Sequence, residues 1–385
     1  MAGLEEKLCP VCFQEAMEHG ECRNCGYHAE ESSAVKDYLA PFTILKEKYL
    51  LGKSLGQGGF GITYLAENMQ SGLRCCIKEY FPSGLLQGRT PDGALILADE
   101  ENRPEYEEGK QQFIEEACAL QELRENISVV DILDFFEENG TAYFAMELIE
   151  GCNLRVFRKN HNPKQTLKMA LQMLFLLGSS LAEVHRFGMI HGDISPENIL
   201  ITQDGEIKLI DFGAARSFRQ GSDNKERKIY LKPNYAPYEQ YTQKPCQGPW
   251  TDIYALAATF YFIVSGRKML DALSRAKGAS YPPLHELCPA VSRQLSDVID
   301  KALAFDYHDR YRRMLDFLDA LEQVVRPEDY DIDLGALMPK SKASKQAEIH
   351  VETSDDSEKM CQVEEQNMPE PKRLAAFFHP KKRRL

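Results

Sequence analysis

The chain has 385 residues and a mass of 43.8 kDa, a length suited to two or three domains or to one large bilobal one. Its 43% hydrophobic content can build a sizeable core and excludes wholesale disorder. With 46 Lys+Arg against 59 Asp+Glu the net charge is −13, which argues against wrapping nucleic acid, so no nucleic-acid partner is expected.

Residues 1–7 are followed by no apolar stretch, so no secretory signal is expected. The two longest apolar runs, 169–182 and 253–264, are too short to cross a bilayer and read as buried helices. No transmembrane segment and a cytoplasmic location are therefore expected. In a reducing compartment the eleven cysteines would not form disulfides.

Four of the cysteines cluster near the N-terminus. Cys9-Pro10-Val11-Cys12 and Cys22-Arg23-Asn24-Cys25-Gly26 are two C-x-x-C pairs nine residues apart. That spacing brings four thiolates around one tetrahedral Zn²⁺. A segment this short cannot bury a core of its own, so metal binding would supply its folding energy. The expectation is a closed, structural site in residues 1–40, similar to the zinc ribbons at the N-termini of many bacterial proteins; free thiols or a redox pair are the bland alternative.

Next comes Leu55-Gly56-Gln57-Gly58-Gly59-Phe60-Gly61, with alternation on both sides that predicts two strands joined by a glycine turn. Glycines let backbone N–H groups approach phosphate oxygens. No helix pattern follows the last glycine, which counts against a dinucleotide fold. Arg74-Cys75-Cys76-Ile77-Lys78 then reads as a short apolar strand ending in lysine, and residues 113–120 as an amphipathic helix carrying Glu116. Between them lie about 30 largely polar residues, read as an insertion or hairpin. Further on, His191-Gly192-Asp193-Ile194-Ser195-Pro196-Glu197-Asn198 forms a loop between a helix and a strand, and Asp211-Phe212-Gly213 ends a strand.

In this order and spacing the set resembles a protein kinase catalytic domain over about residues 45–326, of a bacterial serine/threonine-kinase-like subgroup whose members often carry a zinc ribbon in front. The resemblance implies an α+β bilobal fold: an N-lobe at 45–147, a twisted antiparallel sheet with one helix, and a mainly helical C-lobe at 151–326. Residues 327–385 are left as a linker and disordered tail. It implies ATP-dependent transfer of the γ-phosphate to Ser or Thr of protein substrates, with Mg²⁺. Gly56, Gly58 and Gly61 would cover the triphosphate. Lys78 would hold the α- and β-phosphates, and Glu116 would hold Lys78. Asp211 and Asn198 would bind Mg²⁺, and Asp193 would take the hydroxyl proton. Met146 would lie behind the adenine, and the backbone of Glu147 and Ile149 would bond the base. Asp252 would brace the catalytic loop, and Glu239 of an altered A-P-E segment would pair with Arg310.

Several positions depart from the family pattern. The arginine of H-R-D is Gly192, and no Ser or Thr lies between Lys225 and Pro237, so activity should not need the usual loop phosphorylation. The catalytic-loop lysine is Ser195. These losses leave two alternatives open: a pseudokinase or scaffold using the ribbon as a docking site, and a small-molecule phosphotransferase. The tail ends in an apolar patch flanked by six basic residues. It offers peripheral contact with an anionic membrane or an acidic groove, against the alternative of a solvated tail.

Overall fold

The computed structural model describes residues 7–29, 37–58, 61–122, 128–212, 231–242 and 246–338, with the backbone of 216–217. The expected disordered tail from residue 339, and Gly59, Phe60, Gly213, Ser222 and Tyr230, lie outside the described residues. Two short strands, β1 (Met17–Glu18) and β2 (Glu21–Cys22), form a hairpin whose turn places His19 and Gly20 at positive φ. That backbone matches the twist of the strands it joins.

The N-lobe is one six-stranded antiparallel sheet. It uses β3 (Ile44–Leu45), β4 (Tyr49–Gln57), β5 (Gly61–Asn68) and β6 (Leu73–Tyr80). A separate hairpin of β7 (Leu86–Arg89) and β8 (Leu95–Leu97) follows, then helix α1 (Arg103–Glu122), β9 (Ile132–Glu138) and β10 (Thr141–Glu147). The strand order is β3-β4-β5-β6-β10-β9. Lys46 and Lys48, beside β3 and β4, reach Asp134 on β9 at 2.9 and 3.0 Å, so the two ends of the sheet curl toward each other. One core forms between α1 and β10, where Phe113 stacks on Phe144 with centroids 4.8 Å apart.

The polar stretch after β6 is shorter than the sequence suggested. Helix α1 begins at Arg103, ten residues before the amphipathic pattern that announced it. Its start signal is Asp99, whose side chain accepts from the Glu101 backbone N–H at 3.0 Å and caps a 3₁₀ turn leading into the helix. The remaining insertion, β7–β8, is tied down by charge. Glu79 is fully buried and paired with Arg89, and its carboxylate also accepts from Tyr64 and Tyr143 hydroxyls at 2.9 and 2.8 Å. Arg89 donates onward to the Asp37 carbonyl at 2.6 Å, so one buried pair joins the insertion, the sheet and the segment leading from the ribbon.

The C-lobe holds a small sheet, β11 (Gly151–Asn153), β13 (Ile199–Thr202) and β14 (Ile207–Leu209), with β12 (Met189–Ile190) apart from it. Its helices are α2 (Leu154–Asn160), α3 (Pro163–Arg186), α4 (Pro249–Ser265), α5 (Ala272–Ala276), α6 (Leu284–Leu287), α7 (Arg293–Ala302), α8 (Met314–Glu322) and α9 (Pro327–Tyr330). Helix α3 starts sharply because Asn162 and Gln165 form a reciprocal capping box and Pro163 sits at the first helical position. Helix α4 ends at Gly266, which adopts φ 76°. The apolar runs noted in the sequence are these two helices. By length and composition α3 would suffice to cross a membrane, but 56% of its apolar window is buried inside the fold. It packs on α4 and α8, closely enough that a Cβ on Gly178 would stand 2.6 Å from Leu318.

Packing continues beyond residue 326, where the sequence reading ended the C-lobe. Leu334 and Met338 are buried, and the Leu337 carbonyl lies 3.1 Å from His161 Nε2. The apolar spacing Leu334, Leu337, Met338 carried that signal within an otherwise polar run.

Candidate active site

The four cysteine sulfurs, Cys9, Cys12, Cys22 and Cys25, lie within 4.8 Å of one another. Cys9 to Cys25 and Cys12 to Cys22 are each 3.6 Å apart. Tetrahedral zinc with bonds of about 2.3 Å needs sulfurs about 3.8 Å apart, so the donor set fits. Burial pushes the Cys9 thiol up to about 11 and Cys25 further up, while at Cys22 the N–H groups of Cys25 and Asn24 outweigh burial and bring it down. A bound cation would hold all four as thiolates and remove the burial penalty.

The ribbon is docked on the N-lobe. Lys53 N–H donates to the Pro10 carbonyl at 2.9 Å, and a Cβ on Gly52 would stand 2.2 Å from that same oxygen. Phe13 and Val11 bury against Leu65, with Leu50, Leu55 and Leu148 around them. The apolar side of the ribbon is thus covered by the chain's own sheet, beside the segment joining the lobes. Purified protein is expected to carry one zinc per chain by elemental mass spectrometry. Chelation should release it and raise amide exchange over residues 7–29, leaving α4 and α8 protected. A chain without zinc, with 7–29 equally protected before and after chelation, contradicts a structural metal.

Between the lobes, β6, α1, the 191–198 loop and the end of β14 bring Lys78, Glu116, Asp193, Asn198 and Asp211 together. Lys78 is buried, and its ammonium lies 2.5 Å from Asp211 Oδ1. Burial pulls Lys78 down, but the Asp211 and Glu116 carboxylates more than offset it and its pKa rises. Lys78 in turn holds Asp211 well below the usual carboxylate range. Asp211 adopts φ 64°, a left-handed backbone that costs a non-glycine residue about 1–3 kcal/mol.

Glu116, expected to hold Lys78, is one of two carboxylates near that lysine's ammonium. Lys78 pairs with Asp211, and no ion pair joins Lys78 to Glu116 among the described residues. Glu116 Oε1 is buried without a hydrogen-bond partner, and burial pushes the carboxyl up to about 8 despite the nearby ammonium. The physical reason is competition: one buried ammonium faces two carboxylates, and the one in contact takes the charge.

The 191–198 loop is built from buried hydrogen bonds. Asp252, fully buried on α4, accepts from the backbone N–H groups of His191 and Gly192 at 2.8 and 2.9 Å and binds His185 Nε2 at 2.8 Å. Burial lowers the His191 pKa. With Asp193 N–H donating to His191 Nδ1 at 3.2 Å, the neutral ring donates its Nε2–H to the Ile210 carbonyl at 3.2 Å, tying the loop to the residue before Asp211. Gly192 has φ 77°, so the departure from arginine also relieves local strain. Asn198 Nδ2 donates to both the carbonyl and Oδ2 of Asp193 at 2.8 Å, which leaves its amide oxygen for another ligand. Asp211, half-open to the cleft, and this oxygen are hard donors of the kind Mg²⁺ takes.

The glycines divide by role. Gly58 N–H donates to the Gly61 carbonyl at 2.8 Å, closing the turn, and a Cβ there would meet only the Gly61 carbonyl oxygen, at 4.0 Å. At Gly61 a Cβ would stand 2.4 Å from the Glu79 carbonyl, so this residue is required by the approach of β5 to β6. Gly56 pairs with Thr63 across β4 and β5. The Glu147 carboxylate is turned to Lys208 Nζ at 2.9 Å and to the Asp131 N–H at 3.0 Å, so only backbone is left to bond a base there. Met146 and Ile149 are partly buried against the core.

One residue at the site had no role in the sequence reading. Lys232 Nζ lies 2.9 Å from Asp193 Oδ2 and 2.9 Å from Ser195 Oγ. The signal available for it was indirect: a loop lacking its lysine at 195, and a lysine just ahead of the 235–239 segment.

Comparison with known proteins identifies residues 49–319 with the family described as protein kinase domain. Serine/threonine-protein kinase F of Synechocystis is 31% identical over 286 residues, covering 70% of this chain and 53% of that protein. Serine/threonine-protein kinase PknA of Nostoc is 29% identical, covering 72% and 48%. PrkC of Bacillus subtilis is 28% identical, covering 69% and 38%. The chain thus spans about half the length, or less, of these relatives. A solved structure titled "PpkA-294 apo form" superposes with a TM-score of 0.63 at 34% identity, covering 74% of this chain and all of that one. With the match extending over most of the chain and the lobes, loop and cleft arranged as described, the chain belongs to the protein kinase domain family.

Proposed function

We propose that the chain transfers the γ-phosphate of Mg²⁺-ATP to serine or threonine hydroxyls of protein substrates. The observation that carries this is the joint placement of Lys78 against Asp211 and of Asn198 against Asp193 across one cleft. In the step, the acceptor oxygen bonds to the γ-phosphorus as the bond to the bridging oxygen breaks. The acceptor proton passes to Asp193, and ADP leaves. Asn198 holds the Asp193 carboxylate in one orientation, so it meets the hydroxyl ready to accept. Lys78 neutralises phosphate charge after exchanging Asp211 for the nucleotide. Asp211 and Asn198 would hold Mg²⁺, which supplies charge neutralisation on the phosphates. The buried Glu116 then stands ready to ionise and pair with Lys78.

The domain limits expected from the sequence, a ribbon at 1–40, a catalytic region at 45–326 and an appended 327–385, remain part of this reading, with the C-lobe core extended by Leu334 and Met338. A reducing, cytoplasmic setting, expected from the sequence, is likewise part of this reading.

The test is transfer from labelled Mg²⁺-ATP, with mass spectrometry of the products. Wild type is expected to label itself or a generic protein on Ser or Thr. Asp193→Asn is expected to lower the rate by about 10²–10⁴-fold. Wild type that binds ATP and labels neither protein nor small alcohols overturns the reading, and labelling of alcohols alone transfers it to a small-molecule phosphotransferase.

A further inference from the structure

We propose that Lys232 is a further catalytic residue, whose ammonium supplies from the segment after the cleft the positive charge that position 195 of the catalytic loop lacks. This rests on the roles proposed above for Asp193 and Asp211.

The geometry gives Lys232 both a place and a fixed support. Its Nζ lies between Asp193 Oδ2 and Ser195 Oγ, 2.9 Å from each, and Ser195 is fully buried. Asp193 Oδ2 therefore receives Lys232 on one side and Asn198 on the other. The Lys232 carbonyl accepts from the N–H groups of Tyr235 and Ala236, both at 2.9 Å, which closes a turn. The turn and the 3₁₀ helix that follows it (Tyr238–Tyr241) are each pinned to the rest of the C-lobe. Asn234 Nδ2 donates to the Met269 carbonyl at 2.6 Å, and Gln240 Nε2 donates to the Gly192 carbonyl at 2.8 Å. The second contact is to the residue next to Asp193, so segment and loop are held in register.

Charge explains why a lysine is tolerated there. Burial pulls the ammonium down, but Asp193 and Asp211 more than offset it, and the net shift is upward. Two lysines thus bracket the centre, Lys78 at the Asp211 end and Lys232 at the Asp193 end. The transferred phosphoryl group must pass between these two carboxylates. In its transition state the equatorial oxygens carry the charge while the bond to the acceptor oxygen forms and the bond to ADP breaks. An ammonium already fixed beside the acceptor carboxylate stabilises that charge without reorganising. Lys232 and Gly192, Asp193, Ile194, Leu231 and Ala236 line the same small surface depression. Because the lysine rides on this segment, the segment must be seated for transfer to occur.

The test compares Lys232→Met, Lys232→Arg, the double variant Ser195→Lys/Lys232→Ala, and Asp193→Asn, each checked for folding by its ATP-dependent thermal shift. Lys232→Met is expected to lose about 10²-fold or more in kcat with KM for ATP changed less than about threefold. Lys232→Arg or the double variant should recover at least about tenfold of that loss, which a merely structural lysine would not show. Lys232→Met within about threefold of wild-type kcat, while Asp193→Asn is inactive, overturns this inference alone. Failure of both the arginine and the returned lysine to rise above Lys232→Met also overturns it. Activity persisting in Asp193→Asn instead overturns the site reading on which it rests.

Discussion

Asp211→Asn is expected to lower phosphate transfer by about 10³-fold or more while leaving the chain folded. Asparagine keeps the shape of the side chain and tolerates the left-handed backbone at φ 64°, so the turn after β14 survives. What disappears is a carboxylate that Lys78 holds ionised far below its ordinary range, in a side chain half-open to the cleft. That charge is the hard donor for Mg²⁺ in the proposed function, and an amide oxygen replaces it poorly. The variant has a second, independent signature. With Asp211 neutral, Lys78 is left near Glu116, whose carboxyl stands at about 8 by burial. The ammonium should pass to Glu116 and bring it down into the ionised range at neutral pH. Titration of ATP binding with and without Mg²⁺ checks the first point: wild-type affinity should tighten with the metal and the variant's should not. Transfer within about tenfold of wild type, with Mg²⁺-dependent affinity intact, contradicts the role given to Asp211.

Arg310→Met is expected to destabilise the C-lobe by about 3–5 kcal/mol, seen as a fall in the denaturant midpoint. Arg310 and Glu239 are both buried, bonded at 2.7 and 3.1 Å in a two-pronged pair. The guanidinium also donates to the carbonyls of Ala304 at 2.7 Å and Phe305 at 2.9 Å and lies over the Tyr254 ring. Removing it strands a buried carboxylate, with only the Thr251 hydroxyl at 3.2 Å to satisfy it among the described residues. Removing both charges should cost less than the arginine alone, because the stranded charge is then gone. Glu239→Gln/Arg310→Met is therefore expected to recover about 1–3 kcal/mol of the loss. A single-variant loss below about 1 kcal/mol marks the pair as already compensated by its surroundings.

The sequence by itself determined the family, the order of the lobes and most of the cleft's composition. These rest on local facts. Asp193 and Asn198 lie on one short loop, so their hydrogen bond follows from spacing alone. The C-x-x-C pairs carry their own ligand geometry, and the two long apolar runs read as helices, although only the packing of α3 against α4 and α8 shows that it is buried in the fold. The Glu239–Arg310 pair was also legible, because each residue sits in a recognisable segment.

The tertiary structure decided what depends on competition between distant charges. Lys78, Glu116 and Asp211 come from three elements, and which carboxylate takes the ammonium is settled by distances that no spacing encodes. Lys232 beside Ser195 is of the same kind: one position lost a charge and another, 37 residues on, fills the space. Glu79, next to Lys78 in sequence, points to the other face of β6 and spends its charge on Arg89 of the insertion. Even Gly61 belongs partly here, since the oxygen that excludes its Cβ lies on the neighbouring strand. The physical reason is common to all four. Periodicity and motif spacing report on what a segment does locally, whereas a buried charge or a close approach takes its energy from whichever group the fold brings to within about 3 Å.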